Sequence, residues 1–587
     1  MDAPVSSKGS RVNSTLRRML TDEHAIMAMF GVLVGVAGGY GAVGFRYLIN
    51  FIQTLAYGSP EELLDVVQTI PWLWRILIPA LGGLVVGPVV YFWAREAKGH
   101  GVPEVMYAVA LKQGIIRKRI VLIKSLVSAV CIGTGGSVGR EGPIVQIGSA
   151  VGSTLGQLFN VSPNRMRTLV GCGAAAGIAA TFNAPIAGSI FALEIILAEF
   201  EIASFSPIII SAVSATAISR HYLGNVPAFI LPQYVLHNFL EFPLYALLGV
   251  FCAFVALGFT LFLYRAEDFW DAIRFPEYLK AAVGGLMIGA MGLLFPQILG
   301  VGYGAIDLAL MVKLSGWFMA LLVICKILAT SITIGSGGSG GIFAPSLFMG
   351  AMAGGAFGTV ANHFFPSIAV SAGAYAVVGM GAVVAATTHG PLQAILIIFE
   401  MTGDYKIILP LMITCIISCL IAGRLCKESI YTFKLIRRGI NIKGGKEVNI
   451  LRSMPVKNVM YHTVEMVPQN MDLKEFAEKL PRSRSNNFVV VNSKEEIAGV
   501  LTFLDYYDKL FNDQIDDHMK VKDIMTSDVV TVTIEDNLAT ALEKIAARDY
   551  SILPVVSPED PLKMLGILTR RDILEAYDQA VIKRAVT

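Results

Sequence analysis

Charge is scarce in this chain. Only 16% of its 587 residues are Asp, Glu, Lys or Arg, against about 25% in soluble domains. Hydrophobic residues make up 54% and mean hydropathy is +0.62, so an integral membrane protein is expected. The net charge of +3 lacks the basic excess that a nucleic-acid partner demands. The seven cysteines, at 131, 172, 252, 325, 415, 419 and 426, have no CxxC spacing and read as reduced packing residues, not metal ligands or disulfides. No Gly-rich loop runs into Gly-Lys-Ser/Thr, and no HExxH occurs, which argues against an enzyme. Strand-like alternation is weak across the apolar part, leaving helices as the spanning element. Residues 1 to 24 show no signal-peptide pattern and carry Lys8, Arg11, Arg17 and Arg18. That basic start favours a cytoplasmic N-terminus.

What the chain does have is a succession of apolar segments over residues 25 to 436, then a stretch of soluble-domain composition over 437 to 587. The uncharged run from Pro243 to Tyr264 is long enough to span a bilayer, at about 20 residues per crossing. Other runs are broken by glycine or proline. The sharpest break is GTGGSVGREGP at 133 to 143, where Arg140 and Glu141 stand between apolar segments; a charge there is expensive unless it faces a cavity or partner. A second, GSGGSGGIFAP, lies at 335 to 345, an offset of 345 − 143 = 202. Likewise AATFNAPIAGSIFALE at 179 to 194 resembles AATTHGPLQAILIIFE at 385 to 400. Two halves, about 25 to 230 and 231 to 436, thus carry the same order of elements. Paired breaks at corresponding positions point to a transporter or channel with its site at the repeat interface. The plainer alternative is glycine that only permits close helix packing.

A helix that starts inside a membrane presents unpaired N–H groups and about half a positive charge, and glycines let those amides approach an anion. Several such ends hold an anion without the grip of a full charge, so that it can also leave. Gly99-His100-Gly101-Val102-Pro103 is a third candidate break, with Pro103 suited to a helix start. Glu141 at a helix start can occupy the anion's own position and leave it when protonated or displaced, which makes it a gate. A salt bridge to Arg140 is the alternative, although adjacent residues point different ways on a helix.

Taken together, GREGP at 139 to 143, GIFAP at 341 to 345 and the variant GHGVP at 99 to 103 resemble the anion-site motifs of the CLC family of chloride channels and proton-coupled chloride exchangers. The resemblance implies an α-helical polytopic membrane protein with discontinuous helices in an inverted repeat. It further implies a homodimer with one anion pathway per subunit, in the plasma membrane with both termini cytoplasmic, and chloride as substrate with no cofactor required. Carried over by position, Glu141 looks like the gating glutamate. Gly139, Arg140, Gly142, His100, Gly101, Val102, Ile342, Phe343 and Ala344 fall in the anion-binding segments, and Tyr431 looks like the tyrosine whose hydroxyl binds the central anion. An interfacial belt tyrosine is the alternative for Tyr431.

Two departures matter. His100 stands where the family commonly has serine; it can donate to an anion and titrates near neutral pH, so anion affinity is expected to rise as pH falls. Ile195 stands where typical exchangers carry a proton-relaying glutamate, which favours a passive, gated channel; a proton-coupled exchanger is the alternative. Glu194 and its mate Glu400 read as structural. A cation transporter would line its path with membrane carboxylates, and few are present.

The C-terminal stretch is itself repeated: Val456 to Met460 corresponds to Val521 to Met525, and Gly499 to Asp505 to Gly566 to Asp572. Two packed α/β modules, about 451 to 512 and 518 to 580, are expected. They resemble paired CBS modules, which implies adenine nucleotide at Thr502, Asp505, Thr569 and Asp572 if they bind one.

Overall fold

The computed structural model describes residues 23–440 except 226–228, 230–237 and 370, and residues 451–586 except 452–453, 463–464, 484–486, 504, 508–517, 549–551 and 561–562. The basic segment before residue 23 therefore lies outside the described residues. Two compact units are present, one up to Gly439 and one from Ile440.

The first unit is helical throughout. Among the described residues seven single helices are long and apolar enough to cross a membrane: Glu23–Tyr57, Trp72–Trp93, Ile202–Leu223, Glu241–Ala272, Glu277–Leu294, Gly316–Gly335 and Phe343–Phe364. An eighth apolar stretch, Tyr405–Arg437, is divided between helices Ile408–Leu425 and Ile430–Arg437. Shorter helices, among them Val102–Leu111, Pro185–Phe191 and Pro391–Thr402, start or stop within the bundle. The outer helices leave Leu55, Phe92, Trp317 and Leu420 exposed, a surface suited to lipid and not to water. At the centre, helices Glu141–Leu158 and Pro163–Phe182 touch at Gly148 and Gly173, where a Cβ on either would meet the other's carbonyl oxygen at 2.1 or 1.9 Å. Their counterparts Phe343–Phe364 and Ala372–Thr388 do the same at Gly350 and Gly379, at 2.3 and 2.4 Å.

The repeat is thus structural, and its symmetry can be read from reciprocal bonds. Gly139 N–H donates to Gly341 O at 2.7 Å, and Gly341 N–H returns a bond to Gly139 O at 2.6 Å. This pairing is antiparallel, so the two breaks run in opposite directions about a two-fold axis, as an inverted repeat requires. Glu194 accepts from the Leu392 and Gln393 amides at 3.2 and 2.7 Å, while Glu400 accepts from Ile186 and Ala187 at 3.1 and 2.7 Å. Each glutamate therefore caps the positive N-terminus of the other half's helix, which fits the structural reading of both. Two buried lysines occupy corresponding places in the halves, 326 − 124 = 202. Lys124 Nζ donates to Ala97 O, Gly99 O and Ser339 Oγ; Lys326 Nζ donates to Ile298 O and Gly300 O.

The second unit holds two three-stranded sheets. In the first, β1 (Met466–Pro468) pairs parallel with β2 (Asn487–Val491), which pairs antiparallel with β3 (Ile497–Thr502). The second repeats this with β4 (Val532–Thr533), β5 (Ile552–Val556) and β6 (Met564–Thr569). Val489 and Val500 pack against Ile552 and Ile567, so the two sheets share one apolar contact.

Candidate functional site

Three helices start where the sequence places its breaks. Helix Val102–Leu111 is preceded by Gly101 at φ +82°, a left-handed conformation that favours glycine. Helix Glu141–Leu158 follows Arg140, and helix Phe343–Phe364 follows Ile342. A fourth start escapes the motif reading. Helix Tyr303–Leu310 is preceded by Gly302 at φ +88°, and its loop is the one held by Lys326. Its signal in the sequence is Gly300-Val301-Gly302, which repeats the Gly-x-Gly of 99 to 101 at an offset of 302 − 101 = 201.

The four starts meet around Glu141. Its Oε1 accepts from the Tyr303 hydroxyl at 3.0 Å, and its Oε2 accepts from the Ala344 amide at 3.4 Å. The carboxylate is 1% exposed by residue and lies where glycine makes room: a Cβ on Gly139 would stand 2.0 Å from Oε2, and one on Gly341 3.3 Å away. A carboxylate thus sits on the N-terminus of the Phe343 helix, where a helix dipole and free amides receive an anion. Arg140 does not pair with it; its guanidinium lies over the Tyr303 ring, 5.2 Å from the centroid. Gly142 lets the Glu141 helix approach the Val102 loop, since a Cβ there would meet His100 O at 2.1 Å.

Beyond Arg140 and Tyr303 a cavity of about 370 Å3 opens, lined also by Arg46, Glu62, Asn183 and Asp307. Burial, and then the neighbouring Glu62, push the Asp307 carboxyl up to about 6.

Outside that cavity, His100 is fully buried with its ring 5.8 Å from that of Tyr431. Tyr431 is 2% exposed and stands in the first turn of helix Ile430–Arg437, whose N-cap Ser429 forms a capping box with Thr432. Phe343 packs on Phe182, centroids 5.7 Å apart. All the residues expected to bind the anion therefore belong to one group of helix starts. Ile195 is buried in a π-helical turn, Ala192–Leu197, with its Cδ1 near Gly390. The adjacent Glu194 is fully engaged as the cap described above.

In the second unit, Asp505 Oδ2 accepts from Thr502 N–H and hydroxyl, each at 2.8 Å. Asp572 Oδ2 does the same for Thr569 at 2.9 and 2.7 Å. Each Thr–Asp pair fixes a strand-to-helix turn with one carboxylate oxygen. The Oδ1 oxygens take no part in that bond and suit a ribose hydroxyl by chemistry.

Comparison with known proteins agrees with this architecture. The family model described as voltage gated chloride channel matches residues 82–423, and the CBS domain model matches 521–579. The chain belongs to the CLC family. It is 36% identical over 409 residues to a ClcB-like chloride channel protein of Ralstonia nicotianae, covering 69% of this chain and 95% of that one. It is 31% identical over 422 residues to the H(+)/Cl(-) exchange transporter ClcA of Yersinia pestis, covering 70% and 87%. Among solved structures, a slow cyanobacterial Cl-/H+ antiporter matches with a TM-score of 0.64 and 29% identity over 70% of this chain and 97% of that one. A eukaryotic CLC transporter shares the fold over 93% of this chain and 97% of its own, with a TM-score of 0.61 and 19% identity.

Proposed function

We propose that this chain carries chloride and related anions across a membrane, with Glu141 as a gate that competes for the anion's place. The observation that carries this reading is the Glu141 carboxylate on the Ala344 amide at the start of the Phe343 helix, framed by Gly139 and Gly341. A carboxylate that fits such a site marks where a permeating anion fits. Reversal potentials measured in a chloride gradient at fixed cation concentration test it: a potential that does not move with the chloride gradient sinks the reading.

Transport is coupled to protons in this proposal. The gate is itself titratable, and relatives that share about a third of the aligned residues are named exchangers or antiporters. Passive conduction is the second reading, carried by Ile195, which cannot relay a proton. Proteoliposomes with an inward chloride gradient decide between them. Protons driven uphill support exchange, and chloride flux with no proton movement supports the channel. The protein works as a homodimer with one pathway per subunit and both termini in the cytoplasm, testable by mass photometry in detergent and by protection of both termini from protease in right-side-out vesicles.

A further inference from the structure

The residue with no settled partner in this site is His100. It is fully buried, and neither ring nitrogen has a hydrogen-bond partner among the described residues. Two unpaired polar atoms on one buried ring are unusual enough to require a ligand or a role. The ring lies beside Tyr431 and takes no part in the cavity lined by Arg140 and Tyr303.

Its surroundings are cationic. Lys124 directs its ammonium to two carbonyls and a serine hydroxyl, with no carboxylate among these acceptors. Lys434 Nζ would lie 2.8 Å from a Cβ on Gly99, the residue before His100. Arg438 is paired with Glu104 at 2.6 Å. From the Glu141 helix, Gln146 presents an unpartnered Oε1 beside Gly101. Burial, and then the nearby charges of Lys434, Lys124 and Arg438, oppose a proton on its ring. An anion beside the ring offsets them.

Ile195 does not titrate, Gln146 is neutral, Glu104 is held by Arg438, and Glu194 accepts two helix amides. We propose that His100 is the proton-binding group at this end of the pathway, taking up a proton from water as an anion binds beside it and releasing it as the anion leaves. The step converts neutral imidazole to imidazolium at one ring nitrogen and breaks no other bond. By reciprocity the proton raises anion affinity as much as the anion raises proton affinity, typically about 5- to 150-fold. This inference rests on the anion-transport reading and supplies the proton site that Ile195 lacks.

The test is calorimetric titration of the full-length protein with sodium chloride, in buffers of differing ionisation enthalpy, between about pH 5 and 8, the range of histidine titration. It is weighted to the acid end, because burial and the nearby cations disfavour the imidazolium before an anion arrives. Sodium isethionate serves as control. Glu141→Gln removes the gate's own proton, so remaining uptake is assigned elsewhere. The expected result is proton uptake with chloride in Glu141→Gln, and chloride affinity at least about 5-fold higher at the acid end. Adding His100→Gln or His100→Ser abolishes the uptake and flattens the affinity. Chloride binding without proton uptake in Glu141→Gln overturns the proposal even if the double variants fail to fold, and so does uptake that survives loss of His100. Absence of chloride binding in the wild type instead overturns the anion-transport reading, and the proposal with it.

Discussion

Glu141 combines two properties that rarely coincide: it is a buried carboxylate, and it sits at a helix start that favours negative charge. Replacing it with glutamine keeps the volume and removes the charge by which the proposed gate would compete with an anion. Glu141→Gln should therefore raise chloride flux in proteoliposomes several-fold and abolish uphill proton movement; unchanged coupling would remove Glu141 from the mechanism. Tyr303 acts through it. A hydrogen bond to a charged group contributes about 1.5–3 kcal/mol, so Tyr303→Phe should loosen the carboxylate and raise flux at a given pH by roughly tenfold. In the cavity beyond, Asp307 is charged above about pH 6 and neutral below. As pH falls through that value the cavity loses a negative charge, and anion entry becomes easier. Asp307→Asn should raise flux at neutral pH and remove the part of the pH profile centred near 6, as measured by chloride efflux. Of these residues, Glu141 and His100 announce themselves in the sequence as charge and histidine beside glycine. Tyr303 does not: tyrosines in apolar segments are common, and only its hydrogen bond across 162 residues distinguishes it.

At the scale of elements, the two halves hold each other's helix ends. Because Glu194 and Glu400 make mirrored bonds to the starts of helices Pro391–Thr402 and Pro185–Phe191, their removal should have matching effects. Glu194→Ala and Glu400→Ala should each destabilise the folded protein by about 2 kcal/mol, seen as similar drops in detergent melting temperature. A large loss for one and none for the other would contradict the symmetry. The two helix-break motifs and the AATF/AATT pair are legible as a repeat because they keep glycine and proline at fixed spacing. The lysine pins are less so. Lys124 and Lys326 differ by 202, yet a lysine in an apolar run gives no indication of which carbonyls it satisfies, since those lie in a loop more than 20 residues upstream.

For the whole molecule, the second unit raises the question of regulation. Thr502, Asp505, Thr569 and Asp572 form two similar turns, and adenine nucleotide binding there is our expectation. Titration of the full chain with ATP, ADP and AMP should give heat that Asp572→Ala removes; no heat with any of them ends the idea. The class of molecule, the two units, the repeat and three of the four helix starts are legible in the chain alone, because hydropathy, glycine spacing and proline are local properties that act wherever the chain goes. Tertiary structure alone decided which starts converge, that Arg140 lies over Tyr303 instead of pairing with Glu141, and that the His100 ring is buried without a hydrogen-bond partner beside Tyr431. Those facts depend on contacts between residues far apart in the chain, and such contacts are set by how the two halves pack about their shared axis.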